Sequence, residues 1–385
     1  MADIDKAITF EDQIELEVRD RSKEMEVEVD IEEENPDFEG FEEMDDGSIM
    51  FGDATPPVEN TDFYANLAEE LDSSDLSNVV NDLMGNIDSD KESRSDWEKT
   101  YKEGLEYLGM KYEERSQPFE GASGVMHPLL AESVTQFQAQ AYNELLPSQG
   151  PVKTQVIGMA NAETEQQASR VQEFMNYQLM QVMKEYDSET DQMLFYLPLS
   201  GSAFRKVYYD QNLGRAVSKF IPSEDLIVPY AATDLHSATR ITHVIDMSMN
   251  DIKKLQQVGF YRDVDISTGS MIADDIDEVQ EEIDELQGVS PSYDDNDTCR
   301  VHEVHTELDL EGYEELDSEG EPTGIKLPYI ITIANDKVLS IRRNYKETDQ
   351  LKRRINYFVH YKFLPGLGFY GFGLTHMIGG LSKAS

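Results

Sequence analysis

Residues 117–147 read QPFEGASGVMHPLLAESVTQFQAQAYNELLP, and they predict a loop that runs into a helix. Gly121 and Gly124 permit backbone turns that a Cβ resists, and Pro128 is preset for a first helical turn. Beyond it Leu130, Val134, Phe137, Ala141 and Leu145 recur at spacings of four and three. They form one apolar stripe, with Gln136, Gln138, Gln140 and Asn143 largely off it. Glu144 to Pro147 closes the helix. By its periodicity alone, such a stripe reads as core packing before it reads as a binding face.

Upstream the pattern stays helical as far as Asp62. FYANLAEEL and the segment Asp75 to Leu83 predict two short amphipathic helices. SDWEKTYKEGLEYLGM follows with Ser95 or Asp96 as N-cap, and places Trp97, Tyr101, Leu105 and Leu108 on one face. Residues 1–60 are strongly acidic. Ile14, Leu16 and Val18, then Met25, Val27, Val29 and Ile31, alternate with charges at the period of a hairpin. Repulsion among those mostly negative charges suits a disordered arm equally well.

Downstream, QGPVKTQVIGM is extended, and the longest helix is expected from Ala162. Val171, Phe174, Met175, Gln178 and Val182 mark its expected buried side. From Ala203 the period changes to two. AFRKVYYD and RAVSKFIP flank QNLG and predict a β-hairpin. DLIVPYAA and ATRITHVIDM are extended, and NDIKKLQQVG is a short helix ending at Gly259. In IADDIDEVQEEIDELQG, Ile272, Ile276, Val279, Ile283 and Leu286 form a heptad-like series too short for a free coiled coil. It is expected to pack on its own domain or on a neighbouring subunit. Strands resume with CRVHEVHTELDL, LPYIITIANDKVLSIRRN and RINYFVHYKFLP.

The fold class is therefore α+β, a helical N-terminal half followed by mixed β-sheet. Its expected parts are 1–60 (acidic arm), 61–200 (helical), 201–265 (hairpin and α+β), 266–297 (acidic helix and loop insert), 298–365 (β-rich) and 366–385. The last part starts a helix at Gly373 with neither cap nor tail, so the chain is expected to be truncated.

Composition narrows the function classes. The 385 residues carry 32 Lys plus Arg against 78 Asp plus Glu, a formal charge of -46. That is far from the basic balance of a protein that grips nucleic acid through its phosphates, so contact with DNA must be local or repulsive. The single cysteine, Cys299, excludes an internal disulfide and fits a reducing cytoplasm. No basic-then-apolar leader and no apolar run long enough to span a bilayer is present, so a soluble protein is expected.

Two stretches carry a family resemblance. PFEGASGVMHPLLAESVTQFQAQAYNELLP resembles the N-terminal signature of the portal proteins of tailed bacteriophages, particularly short-tailed ones, and YFVHYKFLPGLGFYGFGLTHMIGGLSKAS resembles the same family. With the spacing between them, the likeness runs from about Asp96 to the end. It rests on Phe119, Gly121, Gly124, Pro128, Gly366, Gly368, Gly371 and Gly373, as positions of backbone geometry rather than of chemistry.

The resemblance implies a portal wing-like domain ending at the start of a stem helix, with channel-lining loop, clip and crown beyond Ser385. It implies a homo-oligomeric ring, usually a dodecamer, at the capsid vertex of the virion, assembled in the host cytoplasm. Its implied partners are further copies of itself, the terminase large subunit, capsid and scaffolding protein, tail or adaptor proteins, and double-stranded DNA passing through the channel. It implies no enzymatic activity, no cofactor, no metal and no membrane. Another structural virion protein, a capsid or tail component, stays open as an alternative, as does a nucleotide-binding enzyme.

The enzyme alternative rests on Gly366-Leu-Gly368-Phe-Tyr-Gly371, formally GxGxxG after a strand. Pro365, the bulky Phe369 and Tyr370 and the α+β context argue against a βαβ unit, and no GxxxxGK[ST] loop occurs. His302-Glu-Val-His305 is one residue short of a metalloprotease motif, and on a strand its histidines point to opposite faces. Asp294 to Asp297 lacks an EF-hand's alternation and glycine. Arg342, Arg343, Lys346, Lys352, Arg353 and Arg354 form a basic group in an acidic chain. Three uses stay open for it: a phosphate backbone, an acidic patch on the next subunit, or a plain solvated loop.

Overall fold

The chain divides between Glu59 and Asn60 into two units. A computed structural model describes the backbone of 41–43 and 49–51, and residues 63–108, 128–210, 213–266, 279, 283, 284, 286, 298–316, 320–366 and 368–384. In the first unit, β1 (Phe41–Glu43) and β2 (Ile49–Phe51) pair antiparallel. The hairpin expected between Ile14 and Ile31 lies outside the described residues.

The second unit begins with a 3-10 turn, Leu67–Glu69, followed by α1 (Ser73–Ser93). The two short helices expected here are thus one turn and one helix of 21 residues, the longest described. Nothing between Asp72 and Ser93 breaks the ladder. Leu76, Val80, Leu83 and Ile87, spaced four, three and four, stay buried along one side. After a break at Arg94, α2 (Ser95–Glu106) buries Tyr101 and Leu105.

The central stripe forms α3 (Leu129–Leu145). Leu130 and Val134 are fully buried, Phe137 and Ala141 are partly buried, and Leu145 is half exposed. The next helix, α4 (Ala162–Tyr177), corrects an expectation, because none of its residues is buried. Val171, Phe174 and Met175 are exposed instead of forming the inner side. The inner side is polar: Asn176 and Gln172 bind the backbone of Val152 and Thr154. A π-helical turn, Gln178–Val182, ends this run and shortens it. Next, α5 (Tyr186–Ser200) buries Met193, Leu194, Leu197 and Leu199.

The expected hairpin is β3 (Ser202–Asp210) with β4 (Arg215–Ile221). Next come β5 (Leu226–Ile227), β6 (Arg240–Ser248) and α6 (Met249–Gln257), whose N-cap Ser248 accepts from the Asp251 N–H. From the acidic insert, Val279 and Ile283 are buried beside Tyr101, Leu130 and Val134, so the described part of this series packs within its own unit. The remaining elements are β7 (Thr298–Leu308), β8 (Leu327–Ala334), β9 (Lys337–Arg343), β10 (Phe358–Lys362) and α7 (Leu374–Ala384). Asn335 and Asp336 both adopt positive φ, 44° and 61°, the backbone of a tight hairpin turn.

The strands form a three-stranded sheet, β10-β3-β4, and a five-stranded one, β5-β6-β7-β8-β9. Every described pairing is antiparallel. The architecture is α+β, but its sheets are antiparallel rather than mixed, because no described strand returns through a parallel crossover. One face of the larger sheet, with Val304, Tyr329, Ile331 and Ile341, is covered by α1. Near one end, α6 covers Cys299, Val301 and Leu339. Phe204, Ile221 and Phe358 of the smaller sheet share a further core with Leu226 and Ile241 of the larger.

Candidate functional site

Gly201 ends α5 with a φ of 81°, the left-handed conformation that closes a helix without a Cβ penalty. At this point the segment leaving α5 meets the segment entering α7. A Cβ on Gly371 would land on the Gly201 carbonyl oxygen, and one on Gly373 on the Leu199 carbonyl oxygen. Gly366 is as tight against the Tyr370 carbonyl, whereas a Cβ on Gly368 would meet no atom within 4 Å. The Phe363 N–H donates to the Gly201 carbonyl at 3.0 Å, and the Phe372 N–H to the Leu364 carbonyl at 2.9 Å.

Aromatic and cationic groups fasten this junction to the helical half. The Tyr370 ring stacks on Trp97 with centroids 4.5 Å apart. Buried Arg94, at the break between α1 and α2, donates to the Ser223 and Leu226 carbonyls at 3.0 Å each and to the Tyr370 hydroxyl at 3.1 Å. It also pairs with Glu98 at 2.6 Å. Phe363 meets Phe137 of α3 edge-on at 5.1 Å, and Leu374 and Ile378 pack against the cluster containing Leu130 and Val134. The described parts of the two resemblance-bearing stretches therefore share one packed region. Pro128 stands immediately before α3, its carbonyl accepting from the Glu132 N–H at 2.9 Å. Phe119, Gly121 and Gly124 lie outside the described residues.

Comparison with known protein families and with curated proteins returns no match. The chemistry available to these residues is therefore read from their geometry alone. The Gly371 N–H donates to Ser202 Oγ at 2.8 Å and the Gly373 N–H to His376 Nδ1 at 3.2 Å. With Phe372 bound to Leu364, all three successive amides are engaged inside the chain, so the turn offers none of them to a phosphate.

Ser202 Oγ also lies 3.0 Å from His360 Nε2, a pairing that could suggest an activated nucleophile. Ser202 is fully buried, however, and its oxygen already accepts from Gly371. Burial, with the Lys362 charge behind it, pushes the His360 pKa down to about 3. The pair serves the junction.

The six basic residues disperse into separate tasks. Arg342 donates to the Tyr64 and Phe260 carbonyls at 2.7 and 2.8 Å and lies over the Phe260 ring. Arg343 donates to the Phe63 carbonyl at 2.7 Å. Arg354 holds the Ala238 and Leu235 carbonyls at 2.7 and 2.8 Å. Lys352 pairs with Glu315, exposed Arg353 pairs with Asp349 at 2.8 Å, and Lys346 is exposed. Three of the four arginines are thus clamps on their own chain's backbone.

A charged cluster that sequence reading missed joins the two sheets. Lys206 Nζ of β3 sits 2.6 and 2.7 Å from the two carboxylate oxygens of Glu303 on β7. His305 Nε2 is 2.7 Å from the same carboxylate, and His243 of β6 pairs in register with Glu303. Burial opposes the Glu303 charge, but Lys206 and the His305 hydrogen bond outweigh it and hold the carboxyl below the usual range. Burial, reinforced by Lys206, pushes His243 down to about 3, and burial also lowers His305 against the pull of Glu303. Among the described residues no group of three or more His, Cys, Asp or Glu is placed to hold a metal. The only sequence signal was the period-two placing of Glu303 and His305, and Lys206 is 97 residues away.

Proposed function

We propose that this chain is part of a portal protein, the ring at a phage capsid vertex through which DNA is packaged and ejected. The observation that supports the reading most is the meeting of α3 and the 363–378 segment in one region. Those two resemblance-bearing stretches are more than 200 residues apart in the sequence, and a chance likeness in each would carry no reason for them to touch. In this reading the close-packed glycines set the angle at which α7 leaves the body as the first stem helix. Further copies, terminase large subunit, capsid and scaffolding protein, and tail or adaptor proteins are its partners, and the chain itself performs no catalysis. An excess of carboxylates suits a wall past which phosphate must slide without sticking.

Native mass spectrometry of the chain extended to its natural stop codon, over a range of concentrations, tests the proposal. Closed rings of about twelve copies are expected. A monomer or dimer at every concentration would overturn it.

A further inference from the structure

β4 is an outer strand of its sheet, yet part of its outward backbone is already engaged. The Val207 N–H donates to the Tyr357 carbonyl at 2.8 Å, so β3 turns its odd-numbered residues to β10 and its even-numbered ones to β4. By the register Phe204↔Ile221, Lys206↔Lys219 and Tyr208↔Val217, the odd-numbered residues of β4 bond to β3. Ala216, Ser218 and Phe220 therefore direct their N–H and C=O groups away from the sheet. A bare row of this kind is a template for another strand.

Side chains occupy this row. The Phe220 N–H donates to Glu189 Oε2 at 2.7 Å, and the Ser218 N–H to Glu185 Oε1 at 3.4 Å. Arg215 Nη1 donates to the Ala216 carbonyl at 3.2 Å and to Glu185 Oε1 at 2.8 Å. Glu185 is the N-cap residue of α5, and Glu189 follows one turn later. Four residues of helix rise about 6 Å and two residues of strand advance about 6.6 Å, so carboxylates four apart on α5 meet successive outward amides of β4. The helix thereby makes bonds that a neighbouring strand would make.

The larger sheet treats its β9 edge in the same way. The Ile341 N–H donates to Asn66 Oδ1 at 3.0 Å, and Asn66 Nδ2 donates to the Leu339 carbonyl at 3.0 Å. Side chains thus stand in for a strand at one edge of each sheet.

We propose that α5 is a lock on β4. Glu185 and Glu189 hold the amides that a strand of a second copy would otherwise engage, and so keep β4 out of edge-to-edge pairing between copies. The inference does not depend on the ring reading, because the parent's own assembly state is the baseline of its test.

The full chain should be compared with Glu185→Ala/Glu189→Ala and with Glu185→Gln/Glu189→Gln. Both variants lose the same two charges, but only the second keeps an acceptor oxygen at each position. Far-UV circular dichroism is the folding control. Glu189→Ala alone, which spares the Glu185–Arg215 pair, replaces the double variant if that one does not fold. Hydrogen–deuterium exchange at Ser218 and Phe220 is read at the lowest concentration, and mean mass by light scattering as concentration rises. In the alanine variant the uncapped amides should exchange at least about 10-fold faster, and the mean mass should climb above that of the parent. The glutamine variant should match the parent in both. Unchanged exchange in the alanine variant overturns the lock, because the carboxylates then do not hold the amides. Faster exchange without a rise in mass overturns it too, because the body of α5 then blocks the edge unaided. A rise in mass in the glutamine variant as well would trace the association to lost charge and overturn the lock. Whether the parent itself forms rings is decided separately and is untouched by any of these outcomes.

Discussion

Single residues at the junction and in the charged cluster carry separable consequences. Gly371→Ala would drive a methyl group into the Gly201 carbonyl, where both neighbours are backbone and cannot turn aside. A loss of about 1–3 kcal/mol is expected, against a change within about 0.5 kcal/mol for Gly368→Ala, compared by urea unfolding. Lys206→Met would leave the Glu303 carboxylate, 19% exposed, without its cation and should cost about 3 kcal/mol. Lys206→Met with Glu303→Leu should recover much of that loss, and a double-mutant cycle would measure it. The cluster and the junction together set a pH response. His243 and His360 have folded pKa values of about 3, below the unfolded value near 6.5, so the unfolded chain takes up protons first. Their contribution is complete above about pH 6.5 and is lost as pH falls toward 3, and the depressed Glu303 carboxyl adds a loss below about pH 4.3. Melting curves between pH 7 and 4 should show falling stability, with a shallower fall in His243→Gln. An unchanged slope in that variant would remove His243 from the account.

Among the elements, the break between α1 and α2 is held by one side chain. Arg94 donates to the carbonyls of Ser223, Leu226 and Glu224, sharing the Leu226 carbonyl with the Tyr370 hydroxyl. Arg94→Lys keeps the charge but cannot span three acceptors with one ammonium. A loss of about 2–4 kcal/mol is expected in chemical unfolding, and a loss below about 0.5 kcal/mol would show that water replaces the guanidinium. A second tie, Arg240 to Asp90 at 2.6 Å, fastens α1 to β6. The two sheets are joined differently, by the Lys206–Glu303 pair beside an apolar core. These polar ties fix orientation where apolar contact alone would allow sliding.

For the whole molecule, charge dominates. A formal charge of -46 makes every compact state, and every assembly of copies, work against its own field. Raising NaCl from about 0.02 M to about 0.5 M should shorten the range of that repulsion, raise the Tm by a few degrees and favour larger assemblies. A Tm that fell with salt would mean that the buried ion pairs outweigh the net repulsion.

The sequence by itself determined the elements whose period and punctuation agreed. The α3 stripe, the β3–β4 hairpin around QNLG, the short α6 helix before Gly259 and the helix after Gly373 all follow from local propensity, so they were legible without a fold. It also determined the α+β class and the chain's acidity. What it did not determine was which face of a stripe meets the interior. Val171, Phe174 and Met175 have the spacing of a core face, yet the polar side of Gln172 and Asn176 is the one held, because hydrogen bonds to 152–154 decide the matter locally. Nor could it show that the clustered arginines 342, 343 and 354 would each clamp a distant carbonyl, or that Lys206 would find Glu303. Those outcomes depend on how distant segments and the two sheets pack together, and packing across about a hundred residues leaves no local trace. Only the tertiary structure brings such groups within hydrogen-bond distance, and only there does burial move their pKa values.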